Sequence, residues 1–183
     1  MARPCVVLGV TGSIAAYKAG DIVRRLQAEG CDVVVVMTPA AEKFVTPLTF
    51  EGLSQGPVYR DMFMREGGWD IEHLALARRA DIFLIAPATA DCIARIAAGM
   101  ADDLVCCTAV ATKAPVILAP AMNTDMFTNP IVQENILKLR HHGVKFIEPK
   151  EARLACGTTG NGALADVDVI VRTVVDLLKS SAR

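Results

Sequence analysis

Runs of apolar, β-favouring residues recur along this chain with helical patterns between them: CVVLGVT (5–11), CDVVVVMT (31–38), DIFLIAPAT (81–89), PVILAPAM (115–122) and VKFIEP (144–149). A weaker run, PVYRDM (57–62), adds a further strand. Such runs are apolar throughout instead of alternating, which marks strands buried on both faces in a parallel sheet. Between the first two, SIAAYKAGDIVRRLQAEG reads as a helix with Ser13 as its N-cap and Gly30 just past its end. TADCIARIAAG, ADDLVCCTAVATK, NPIVQENILKLRHHG and DVDVIVRTVVDLLKS read as further helices. Right-handed crossovers then give an α/β fold, a three-layer, doubly wound, Rossmann-like domain with a mainly parallel sheet of about six strands. With no internal repeat, low-complexity segment or linker, residues 1–183 read as a single domain.

Composition narrows the function. An apolar share of 52% over 183 residues supplies one core. A net charge of −1 without blocks of like charge argues against a nucleic-acid surface. The N-terminal apolar run of six residues, Cys5 to Val10, is too short for a signal peptide or a membrane span, so a cytoplasmic protein is expected. Cys5, Cys31, Cys92, Cys106, Cys107 and Cys156 form no C-x-x-C pair and no zinc-like spacing with histidine. His73, His141 and His142 lack ligand-like neighbours, so no metal is expected.

In a doubly wound sheet, ligands bind beyond the carboxyl ends of the strands. After the first strand, LGVTGSIAAYK offers Gly12, Ser13 and Ile14 at a helix start, where free N–H groups can hold a phosphate. The dinucleotide fingerprint G-x-G-x-x-G is absent, and a capped tight turn explains the same residues. After the second strand, Thr38 precedes Pro39 and either caps a helix or reaches the same phosphate. In APATADCIARIAAG, small residues give a flat ring access to the backbone, with Thr89, Ala90, Asp91 and Cys92 beside it; helix capping is the alternative. In LAPAMNTDMF, Asn123 follows Ala121 at a strand end, as a ligand contact or as turn or cap chemistry. His73 precedes the third long strand, Tyr59, Trp69 and the 62–69 stretch read as a mobile or interface loop, and RLACGTTGNGAL (153–164) sets a lone thiol, Cys156, on a glycine-rich hinge.

Taken together, GVTGSIAAYK, PATADCIARIAAGMADDL, PAMNTDM and RLACGTTGNGAL resemble the homo-oligomeric flavin-containing cysteine decarboxylases over nearly the whole chain. The pairing of PAMN with an ACG-x-x-G-x-G loop points to the branch acting on phosphopantothenoylcysteine in coenzyme A biosynthesis. That resemblance implies an FMN site at Gly12, Ser13, Ile14, Thr38, Thr89, Ala90, Asp91, Cys92 and Ala121. It implies His73 and Cys156 as active-site residues, and substrate binding by Asn123, Arg153, Leu154 and Ala155. It also implies a homo-oligomer, a trimer or a dodecamer of trimers, with the flavin near a subunit boundary and no nucleic-acid or membrane partner. Thr158 stands where the family commonly has an acidic residue, and Ala163-Leu164 where many bacterial members have Arg-Met. Bacterial members are often fused to a cysteine-ligating synthetase, so this chain is a stand-alone enzyme or one half of such a fusion.

The chemistry implied is flavin oxidation of the substrate thiol carbon to a thioaldehyde, loss of carbon dioxide to an enethiol, and re-reduction to 4'-phosphopantetheine. Asn123 would hold the carboxylate, His73 would orient the substrate or deprotonate its thiol, and Cys156 would supply the final proton from a closing loop. Three rivals stand beside it. A peptidyl-cysteine decarboxylase stopping at the enethiol has no use for Cys156. A non-catalytic flavin-binding regulatory subunit usually carries an acidic tail or lacks an active-site residue. A nucleotide-binding module without chemistry would be colourless.

Overall fold

A computed structural model of the chain describes residues 3–63, 72–155 and 157–181. Six parallel strands form one sheet: β1 (Cys5–Val10), β2 (Asp32–Met37), β3 (Val58–Tyr59), β4 (Ile82–Ala88), β5 (Val116–Pro120) and β6 (Lys145–Phe146). Their order is β3-β2-β1-β4-β5-β6. Every residue of β1 and of β4 is buried, as fully apolar runs require. Side chains of a strand alternate between faces, and here they split between two cores. Val6, Leu8 and Val10 pack with Ile22, Leu26, Ile170 and Val174 on one side. Cys5 and Val7 pack with Ile93, Val105, Ile136 and Leu139 on the other.

The helices behind those cores are α1 (Ala19–Ala28), α2 (Pro47–Ser54), α3 (Glu72–Arg79), α4 (Ala90–Ala98), α5 (Leu104–Ala111), α6 (Thr124–Thr128), α7 (Pro130–His141) and α8 (Val167–Ser181). They make the three-layer, doubly wound α/β arrangement that the strand runs predict. None of these helices is long and apolar enough to cross a membrane.

Three local departures matter. The helix expected from Ser13 to Gly30 is in two parts, a 3₁₀ turn at Ile14–Lys18 and then α1, with Gly30 in the left-handed region at φ 84°. Helices α2 and α3 occupy stretches whose apolar periodicity is too short to read. Finally, the glycine hinge is an antiparallel hairpin, β7 (Lys150–Arg153) and β8 (Thr159–Ala163). Its own sequence has weak strand character, and it is held from outside. Met122 N–H donates to the Gly162 carbonyl at 2.9 Å. A side chain at Gly160 would collide with Thr124 Oγ1, and one at Gly162 with the Met122 carbonyl.

Candidate active site

The strand order reverses between β1 and β4, and crevices at such switch points hold ligands. A cavity of about 980 Å³ opens there. Its walls come from the segments after β1 (Gly12, Ser13, Ile14), after β2 (Thr38), after β4 (Thr89 to Cys92) and after β5 (Ala121 to Asn123). The β7–β8 hairpin adds Arg153, Leu154 and Ala155. Segments more than a hundred residues apart in sequence thus meet at one place.

Ser13, Thr38, Thr89 and Asn123 also have local duties. Ser13 Oγ accepts from Ala15 N–H at 3.3 Å, and Thr89 Oγ1 from Cys92 N–H at 3.2 Å. Thr38 Oγ1 accepts from Ala41 N–H at 3.2 Å. Capping and ligand binding are therefore compatible readings of the same residues. Each cap takes up one N–H, and a helix start has several such groups, which is how it can receive an anion. Asn123 caps α6: its Oδ1 accepts from Asp125 N–H at 2.7 Å. That bond fixes the amide, so a carboxylate would be met by its Nδ2 hydrogens.

Thr11 is the residue that sequence reading passes over. It is 1% exposed, and its hydroxyl donates to the Pro87 carbonyl at 2.7 Å while accepting from Thr89 N–H at 3.1 Å. It thereby ties the end of β1 to the end of β4. Arg95, Asp102 and Asp103 also line the cavity. Arg95 pairs with Asp91 at 3.0 Å and with Asp102 at 2.5 Å. The bond from Arg95 holds the Asp102 carboxyl below the usual carboxylate range. Cys92 reaches Cys106 behind the cavity wall; their hydrogen bond, then burial, push the Cys106 thiol well above its ordinary range.

His73 does not line the cavity with the other expected site residues. It is half-buried on α3, and its Nδ1 is buried without a hydrogen-bond partner among the described residues. Thr124 Oγ1, under Gly160, is unpartnered in the same way. Cys156 and Trp69 lie outside the described residues.

Residues 2–179 match the model of the family described as Flavoprotein. The chain belongs to that family. A relative from Streptococcus mutans described as "Probable phosphopantothenoylcysteine decarboxylase" is 47% identical over 175 residues, covering 94% of this chain and 98% of the relative. The "Coenzyme A biosynthesis bifunctional protein CoaBC" of Bacillus subtilis is 45% identical over 167 residues, which are 91% of this chain and 41% of that longer protein. Among solved structures, a cysteine-to-serine mutant of PPC decarboxylase complexed with pantothenoylaminoethenethiol superposes with TM-score 0.86 at 32% identity, covering 97% of this chain and all of that one. The FMN-dependent cysteine decarboxylase SpaF superposes with TM-score 0.85 at 31% identity, covering 97% and 98%.

A flavin fits the cavity on physical grounds. The volume is at the upper end of the range for ligand pockets, roughly 300–1,000 Å³. Two helix starts provide for a phosphate, and Ala90 and Ala121 leave room for a flat ring. Ile14 and Tyr17, on the rim, are 59% and 63% exposed, apolar surface that a bound ring or a neighbouring chain would cover.

Proposed function

We propose that the chain is a phosphopantothenoylcysteine decarboxylase, an FMN-dependent carboxy-lyase that yields 4'-phosphopantetheine for coenzyme A biosynthesis in the cytoplasm. Residues 1–183 form its single flavoprotein domain. One observation carries the reading: at the switch point, a single cavity gathers the helix starts at Ser13 and Thr89, the fixed amide of Asn123 and the Arg153–Ala155 end of the hairpin. The likeness to the Streptococcus mutans relative along almost its full length supports it.

Gly12, Ser13 and Ile14, with Thr38, would hold the cofactor phosphate, and Thr89 to Cys92 with Ala121 would face its ring. When bound, the flavin accepts an electron pair and a proton from the substrate's thiol-bearing carbon and returns them at the end of the cycle. The thioaldehyde so formed has its C=S β to the carboxylate. Cleavage of the carbon–carboxylate bond then moves its electron pair onto sulfur and leaves an enethiolate. Asn123 holds the departing carboxylate by its amide hydrogens, aligning the breaking bond with that sink. Arg153, Leu154 and Ala155 seat the rest of the substrate under the hairpin.

Cys156 follows Ala155 in sequence and donates the proton that completes the saturated thiol, in a site from which the hairpin excludes water. His73 either orients the substrate or removes its thiol proton. Because it stands outside its own chain's cavity, it acts on the cavity of an adjoining subunit in a trimer or an assembly of trimers. Its unpartnered Nδ1 is consistent with that use.

Mass spectrometry of phosphopantothenoylcysteine after incubation with the yellow protein tests the reading. Loss of carbon dioxide alone is expected. Loss of carbon dioxide plus two hydrogens would mean an enzyme that stops at the enethiol, as the peptidyl reading holds. Cys156→Ser should accumulate the enethiol; saturated product at full rate would remove Cys156 from the mechanism. A colourless protein that leaves the substrate intact would end the reading.

A further inference from the structure

Charge is unevenly spread around the cavity. Arg95 is held by Asp91, Asp102 and Asp103, so that corner is net negative. Lys18 and Arg153 line the same cavity, and neither forms an ion pair among the described residues. Lys18 ends the 3₁₀ turn, its Nζ 6.0 Å from the Tyr17 ring centre. Lys150, three residues before Arg153 on β7, is taken up by Asp166. The charge of Lys18 reaches that same carboxylate and, after the stronger influence of Lys150, helps to hold it below the usual range. Lys18 therefore lies within electrostatic reach of Asp166, the partner of Lys150 at the start of β7. Arg153 lies farther along the strand, roughly 10 Å on at 3.3 Å per residue.

A dianion entering the cavity meets repulsion at the Arg95 corner, and on this side Lys18 and Arg153, neither of which is held in an ion pair among the described residues. We propose that Lys18 and Arg153 form a subsite for the phosphate monoester of the substrate, separate from the helix start at Gly12–Ile14 that takes the cofactor phosphate. The proposal rests on the decarboxylase reading. It assigns to Lys18 a specificity role that the sequence pattern does not single out, and it removes Lys150 as a contributor because Asp166 already neutralises it. A phosphate monoester carries about −1.5 to −2 charges at neutral pH. Losing one charge-assisted hydrogen bond to it weakens binding roughly 10- to 100-fold.

The test is calorimetric titration of the flavin-loaded protein with 4'-phosphopantetheine and with pantetheine, for the wild type, Lys18→Met, Lys18→Arg and Arg153→Met. The wild type should prefer the phosphorylated ligand. Lys18→Met should cut that preference about tenfold or more, Lys18→Arg should restore most of it, and flavin affinity, read by fluorescence on release, should shift less than about twofold. A Lys18→Met protein that keeps its preference overturns the proposal. So does one that loses flavin while keeping its preference, since the lysine would then serve the cofactor phosphate. Wild-type protein that binds both ligands equally, yet releases carbon dioxide from phosphopantothenoylcysteine, sinks the subsite and leaves the decarboxylase reading standing. Protein that binds neither ligand and releases no carbon dioxide sinks both.

Discussion

Gly12→Ala is the sharpest single perturbation of the site. A Cβ built at Gly12 falls 2.5 Å from Ala40 Cβ, 3.1 Å from the Ala40 carbonyl carbon and 3.3 Å from its oxygen. Ordinary contact begins near 3.4 Å, so the 38–40 turn must retreat by about 1 Å. No side-chain rotation relieves the clash, because its partners are a methyl group fixed to the backbone and the backbone itself. The turn is anchored by Thr38 N–H to the Val10 carbonyl at 3.1 Å and by the Thr38 hydroxyl to Ala41 N–H. Overpacking of this kind costs about 1–3 kcal/mol. For a chain of this size each kcal/mol moves Tm by roughly 2–4 °C, so Tm should fall by roughly 2–12 °C in a thermal melt. Flavin retention should suffer more, because a displacement near 1 Å in a positioned site can cost on the order of a hundredfold. A tenfold or larger rise in the flavin Kd, by fluorescence titration, is expected. Gly52→Ala is the control of opposite sign: nothing lies within 4 Å of its new Cβ, and it sits inside α2. It should raise stability by about 0.5–1 kcal/mol. Wild-type melting and flavin retention in Gly12→Ala would refute the claim that the β1 and β2 turns form one close-packed cradle.

Asn123→Asp keeps a side-chain acceptor for Asp125 N–H and so keeps the cap, but replaces the amide hydrogens with charge. Decarboxylation kcat/KM should fall at least about a hundredfold with Tm nearly unchanged; activity within threefold of wild type would show that the amide does not hold the carboxylate. Stability should fall as pH rises past about 9, where thiols of the unfolded chain ionise while Cys5, Cys31, Cys106 and Cys107 stay protonated in the fold. The folded state then binds more protons, so the loss grows with pH. Urea midpoints at pH 8 and pH 10 measure it, and Cys106→Ala should show a smaller drop than wild type. Burial of their side chains predicts that iodoacetamide at pH 7.5 spares Cys92 and Cys106 in the native protein and labels both in urea. Rapid native labelling of either would contradict their burial at 3% and 0% exposure.

Legibility of the site varied with how local its physics is. Ser13, Thr89 and Asn123 could be read because a cap is decided within a few residues of itself, and each does cap a helix start on the cavity wall. Thr11 and Arg95 could not, because their partners Pro87 and Asp102 lie 76 and seven positions away and no local period marks them. The hairpin is the plainest case. Thr159 to Ala163 has no strand propensity worth the name, and it is a strand because the backbones of Met122 and Gly162 bond each other where only glycine allows the approach.

The sequence by itself determined the layers. Strand runs without a polar face have to be covered on both sides, and the helical patterns between them leave a parallel sheet as the way to do it. That follows from burial of apolar area, which depends on residue type more than on exact position. Tertiary structure alone decided which strand ends face one another. The order β3-β2-β1-β4-β5-β6 puts the turns after β1 and β4 side by side, lays the hairpin over them, and leaves His73 outside the cavity of its own chain. Those outcomes rest on contacts between distant segments, whose pairing costs chain entropy and is repaid only when the whole core forms.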